Sequence, residues 1–254
     1  MTTDFAGYLR KHKEKRYVWL FITLLALLIT SPFLITNDAG RLTVSALVGA
    51  SLLACAAVIS PKRIFLIVAG LVMTLWFCTT QLGLFGLDSM VHMANRVTAL
   101  LFYVSAVVII SLDVVSGTSV DGNKLCGAVC IYLLIGLLFS QIFQILNSVN
   151  PDSFALSSGM ALGSVCHNRQ ELGFDLVYFS FVTLTTMGYG DILPATRISR
   201  MLAATEAVIG QIYLAVLVAR LVSLYAMRPT KQALEIERLE LRELDVNLAV
   251  KTND

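Results

Sequence analysis

Thr186-Met187-Gly188-Tyr189-Gly190-Asp191 sets two glycines one residue apart, with a hydroxyl at one end and an acid at the other. Such a run is suited to holding a dehydrated monovalent cation through its backbone. An ion entering a narrow path loses its water, so replacement oxygens must stand at matching positions. Backbone carbonyls supply them when several strands aim at a common axis. Gly188 and Gly190 lack Cβ and permit the dihedrals that turn successive carbonyls the same way. Thr186 adds its hydroxyl as a further oxygen at the inner end. The side chains of Met187 and Tyr189 are expected to point away and pack behind the strand as a supporting cuff.

Two kinds of element must position this run. The apolar stretch Phe174–Thr185 before it is about 12 residues long, too short to span hydrocarbon and suited to a re-entrant or buried helix. Irregular backbone at membrane depth is tolerated only where it lines a polar path or is buried in protein. Long apolar runs flank the pair: Leu125–Leu146 before it and Ile198 to about Met227 after it. Upstream lie Tyr17–Thr36, Leu42–Ser60, Ile64 to about Leu84, and Val97 to about Val115, each near the ~20 residues of a transmembrane helix.

The pattern predicts an all-α membrane protein with six transmembrane helices, a re-entrant pore helix over 174–186 and the ion-binding strand 186–190. Residues 1–16 read as a cytoplasmic amino terminus and 17–115 as a four-helix membrane domain. The turn-rich segment 116–124 reads as a linker, 125–227 as a pore domain, and 228–254 as a cytoplasmic carboxyl-terminal helix. Of 254 residues, 57% are hydrophobic and 14% charged, against roughly 25% charged in soluble domains. The charges collect at the two ends and in short gaps between apolar runs. A net charge of +2 with three histidines gives no sign of a nucleic-acid partner. The first apolar run is too long for the core of a cleaved signal peptide and lacks a small-residue cleavage site, so it is expected to be retained.

Basic residues orient the spans. With the amino end inside, Arg10, Lys11, Lys13, Lys15, Arg16, Lys62, Arg63, Lys124, Arg228 and Lys231 fall on the cytoplasmic side. Arg41, Arg96, Arg169, Arg197 and Arg200 fall outside, a bias of about two to one. Both termini are then cytoplasmic, in a multi-pass protein of the plasma membrane.

The segment Thr186–Asp191 resembles the potassium-channel signature, commonly Thr-Val-Gly-Tyr-Gly followed by Asp. It matches at Thr186, Gly188, Tyr189, Gly190 and Asp191, and Met187 replaces the usual valine with another apolar residue. The resemblance is strong over Leu125–Met227 and only architectural over the first 124 residues. It implies a homotetramer in the lipid bilayer, because one chain holds one filter strand. It implies K+ as the permeant ion, with stacked sites from the Thr186 hydroxyl to the Tyr189 carbonyl. Tyr178 and Phe179 resemble the aromatic pair that braces the filter, and plain packing is an equal alternative. Some members carry a glutamate four residues before the filter threonine; Val182 stands there and removes one familiar partner of Asp191. Gly210 lies where inner helices often have a gating hinge, with tight helix packing as the competing reading. Glu206, costly in lipid, is expected to face protein behind the filter.

A voltage sensor needs several arginines in the fourth span, since each charge moved is worth only about 2.3 kcal/mol per 100 mV. Arg96 stands there alone, with Asp113 nearer the inner end, so strong voltage gating is not expected. In the tail, Leu234, Leu241 and Leu248 repeat at heptad spacing with Leu244, but Glu237, Ile236 and Leu239 blur the register. A short four-helix assembly and an amphipathic or solvated helix both fit.

Other chemistries find less support. Cys126 and Cys130 share a helix face without a second ligand pair, and Cys166-His167 reads as an ordinary loop pair. His12, His92 and His167 lie far apart, without the clustered ligands or nucleophile a membrane enzyme needs, so no enzymatic activity is expected. A cation transporter of the related superfamily would carry four filter-like repeats per chain, and one is present. A purely structural membrane protein leaves the filter-like run unexplained.

Overall fold

The computed structural model describes residues 16–34, 89–115, 122–166 and 169–226. Within them the order is α1 (Arg16–Leu34), α2 (Ser89–Val115), α3 (Gly122–Val149), a 3-10 turn (Pro151–Ser153), β1 (Phe154–Leu156), α4 (Leu162–Val165), α5 (Arg169–Leu184), β2 (Ile192–Pro194) and α6 (Arg197–Ala226). The chain divides into two units after Ala215, inside α6, and every contact described below lies in the first.

The protein is mostly helical, and three of its described helices are long and apolar enough to cross a membrane: Met93–Val114, Gly122–Val149 and Arg197–Ser223. The apolar part of α1, Tyr17–Phe33, is shorter. The predicted runs Leu42–Ser60 and Ile64–Leu84, and the tail with its heptads, lie outside the described residues, so the predicted six spans rest partly on residues not described. Helix bounds shift where polar turns adjoin an apolar run. α2 begins at Ser89 rather than Val97, and α5 begins at Arg169 rather than Phe174. In α5 the acid Glu171 stands in the first turn, where it favours the positive end of the helix dipole.

Proline shapes two helix ends. Pro32 cannot donate to the Leu28 carbonyl, and the Ser31 hydroxyl does so instead at 3.2 Å. Pro151 follows the end of α3, where a residue preceding proline disfavours helical backbone. Asn150 is extended (φ −135°), and its side chain accepts from the Asp152 amide to open the 3-10 turn.

α3 is the hub on which α1, α2 and α5 pack. The Tyr17 amide donates to Asn123 Oδ1 at 3.2 Å, and the Tyr17 hydroxyl donates to Asp113, joining α1 to α3 and α2. Gly127 leaves room there: an added Cβ would stand 3.1 Å from Val114 and 3.2 Å from the Tyr17 ring. Arg96 donates to the Gln144 carbonyl (2.5 Å) and the Ser148 hydroxyl (2.8 Å) in the last turns of α3. A cation at a helix carboxyl end is favoured by the helix dipole.

The polar stretch Asn147–Gly173 is not simply loop, and an all-α description omits a small sheet. β1 and β2 pair antiparallel, Phe154 opposite Pro194 and Leu156 opposite Ile192. Pairing between segments this distant in sequence leaves no local pattern to read. Phe154 enters a buried cluster with Phe143 of α3 and Phe179 of α5, the rings 5.2–5.4 Å apart and edge to face. Such pairs contribute about 0.5–1.5 kcal/mol beyond their buried area.

Candidate functional site

The run predicted to coordinate ions leaves α5 through a defined cap. The Thr186 amide donates to the Thr183 carbonyl and the Met187 amide to the Val182 carbonyl, both at 3.0 Å. These two bonds form a Schellman motif, whose first non-helical residue adopts left-handed backbone and is usually glycine. Here it is Thr186, at φ 59°. A residue with a Cβ pays about 1–2 kcal/mol in that region. The positive φ then recurs at every second residue, 56° at Gly188 and 77° at Gly190. Thr186 is the non-glycine among the described residues with positive φ, so the strain is confined to this strand.

Beyond the strand, the small sheet fixes the exit. The Ser157 amide donates to the Asp191 carbonyl and the Ala195 amide to the Ser153 carbonyl, each at 2.9 Å. The Tyr178 hydroxyl donates to Asp191 Oδ2 at 2.8 Å. That bond to the acid, ahead of burial, pushes the phenol up to about 12, so Tyr178 remains a donor across the neutral range. Asp191 thus has a partner on α5 even though Val182 offers none.

The expected cuff is incomplete within one chain. Met187 is 57% exposed and Tyr189 63%, although the Tyr189 ring lies nearly parallel to Tyr178, 6.5 Å away. The predicted aromatic pair divides between two jobs: Tyr178 faces the strand, while Phe179 is buried in the cluster with Phe143 and Phe154.

Behind the strand the packing is dense. An added Cβ on Gly210 would stand 2.6 Å from the Leu184 carbonyl oxygen, so α6 touches the end of α5 only because this residue has no side chain. Tight packing is the role this geometry supports for Gly210. The Tyr132 hydroxyl donates to the same Leu184 carbonyl at 3.3 Å, satisfying a group that the helix end leaves without an internal partner. Gly136 admits the Phe181 ring, 2.9 Å from where a Cβ would sit.

Glu206 is fully buried and faces α5. The Ser180 hydroxyl stands between the Gly136 carbonyl (2.7 Å) and Glu206 Oε1 (2.5 Å), which ties α3, α5 and α6 at one point. Oε2 of Glu206 has no hydrogen-bond partner. Ser180, Gly136 and Tyr132 were not singled out from sequence. Each is an ordinary residue of an apolar helix, and only its neighbours give it a role.

At the other end of α5 the Cys166 thiol donates to Asp175 Oδ2 at 3.3 Å. Burial first, and the Asp175 carboxylate second, push this thiol up to about 12. Burial also raises the Asp175 carboxyl. Among the described residues no His, Cys, Asp or Glu cluster could hold a metal ion through side chains.

Residues 153–226 match the model of a family described as ion channel. Two curated relatives are similar over a comparable length. Protein LctB of Geobacillus stearothermophilus is 38% identical over 90 residues, 35% of this chain and 62% of that protein. Protein LctB of Bacillus caldotenax is 36% identical over 91 residues, 36% of this chain and 64% of that protein. The match therefore spans less than two thirds of either relative. No solved structure matches the chain. The matched segment runs from Ser153 at the end of the 3-10 turn through the strand and α6, so the strand and the α5–α6 contacts lie inside the ion channel match, and the α3 residues Tyr132, Gly136 and Phe143 precede it.

Proposed function

We propose that the chain is one subunit of a homotetrameric, potassium-selective channel that conducts K+ passively across the plasma membrane, with both termini cytoplasmic. The observation that carries this reading is the alternation of positive φ at Thr186, Gly188 and Gly190 in an exposed strand launched by a short helix. That backbone suits carbonyls turned to one side, and the exposure of Met187 and Tyr189 suits a strand whose remaining contacts come from other copies. In this reading Thr186, Met187, Gly188, Tyr189 and Gly190 coordinate K+, and Tyr178 with Asp191 holds the outer end.

Arg96 bears on gating. Its guanidinium is bonded to the last turns of α3, an arrangement that suits a fixed brace better than a charge moving through the field. The channel is expected to open with weak voltage dependence. The ion channel match favours passive transport over catalysis.

The test is flux from liposomes holding the purified full chain. K+ efflux far faster than Na+ efflux at equal gradients is expected, and equal rates would refute potassium selectivity.

A further inference from the structure

Gln211 follows Gly210 on α6 and is exposed in the single chain. A side-chain amide in a membrane-spanning helix is costly against lipid unless it meets protein or lines water. Its surroundings in this structure are specific. Because Gly210 brings α6 against the Leu184 carbonyl, the next residue is carried to the inner end of the strand. Gln211 Nε2 lies 3.4 Å from Thr186 Oγ1. Thr186 is the residue that holds left-handed backbone at a cost, and its hydroxyl is the side-chain oxygen at this end of the strand.

Resting on the proposed channel function, we infer that Gln211 both positions and extends the innermost cation site: its amide N–H holds the Thr186 hydroxyl, and its own carbonyl oxygen faces the entering ion. A hydroxyl oxygen has two lone pairs. One receives the Gln211 N–H, which fixes the side chain, and the other is left for the cation. The amide keeps Oε1 as an acceptor. In a fourfold assembly, four such oxygens form a ring just below Thr186. They replace part of the ion's water before the hydroxyls and carbonyls replace the rest. Gly210 and Gln211 then form one device, the first residue setting the distance and the second making the contact.

Ba2+ is the probe, because it has nearly the size of K+ and twice its charge, and so reports the oxygens of a tight site. The full chain is recorded in planar bilayers with Ba2+ added to each side in turn. Gln211→Leu matches the volume without the amide and is expected to weaken block from the inner-helix side by about tenfold, roughly one hydrogen bond. Block from the filter's outer side should change less, and the melting temperature of the assembled protein should stay unchanged. Gln211→Glu, which adds charge at the same place, should strengthen inner block. If the Leu variant does not assemble, Gln211→Ser, too short to reach Thr186, takes its place with the same weakening expected. Unchanged inner block in a conducting Leu or Ser variant overturns the inference alone. A wild-type chain that carries no K+ current overturns the proposed function and the inference together.

Discussion

Gly188 and Gly210 both lie near the end of α5, and they are glycine for opposite reasons. Around Gly188 nothing stands within 4 Å of an added Cβ, yet its φ of 56° is one that other residues rarely adopt. At Gly210 no left-handed φ arises, yet an added Cβ would meet the Leu184 carbonyl at 2.6 Å. One position is held by torsion in open space and the other by contact. The contrast extends to the neighbours. Thr186–Tyr189 are exposed, while Ser180, Leu184 and Glu206 are fully buried. A strained strand keeps its shape only if something rigid over-determines it, and in one chain that support comes from behind and from the two ends. The front of the strand is bare, which is why the proposed function requires further copies.

Substitutions at the two glycines should therefore fail differently. Gly188→Ala should abolish selective K+ flux while leaving the single-chain fold intact, because it costs about 1–2 kcal/mol of backbone strain in each copy and compounds around a ring. Normal flux with normal helix content would break the distinction. Gly210→Ala should act on stability first, lowering the melting temperature and the yield of assembled protein, with an overpacking cost of about 1–3 kcal/mol. Calorimetry and size-exclusion chromatography read it. A fully stable Gly210→Ala protein with altered opening would favour the hinge reading of Gly210 over tight packing.

The two finer contacts should give smaller effects. Tyr178→Phe removes the donor to Asp191 and should change K+ flux by less than about tenfold, the scale of one hydrogen bond. The change should concern how long conduction persists more than which ion passes, since the carbonyls stay in place. The smallest expected effect concerns Cys166. With its thiol pushed up to about 12, it stays protonated as pH rises through neutrality, and alkylation at pH 8 should be slow. Asp175→Asn removes part of that upward push, lowers the thiol's pKa and should speed labelling, as followed by mass spectrometry. Fast labelling of the unaltered chain would contradict the Cys166–Asp175 contact.

Much of the strand was legible in sequence because its constraint is local. A Gly-x-Gly pair behind a short apolar helix announces unusual torsions, and positive φ is found at both glycines. The left-handed Thr186 was not legible, because threonine carries no such preference; the Schellman bonds at the end of α5 impose it. The long apolar runs marked three helices long and apolar enough to cross a membrane but misplaced the starts of α2 and α5, since a hydropathy pattern stops where polar turns begin. The division of Tyr178 and Phe179 between strand and core was invisible as well. Adjacent residues on a helix point about 100° apart, and only the positions of Asp191 and Phe143 say which face meets which.

By itself the sequence determined the chemistry on offer: apolar spans, a strand of backbone oxygens, and an amino-terminal region with almost no sensing charge. These depend on residue type and near-neighbour order, which composition and spacing express directly. The tertiary structure alone decided what holds the strand. It placed Gly210 against Leu184, Glu206 against Ser180, Tyr178 on Asp191 and Gln211 beside Thr186. Each of those pairs joins residues on separate elements, so its existence depends on how helices cross, and no local pattern in the chain encodes that.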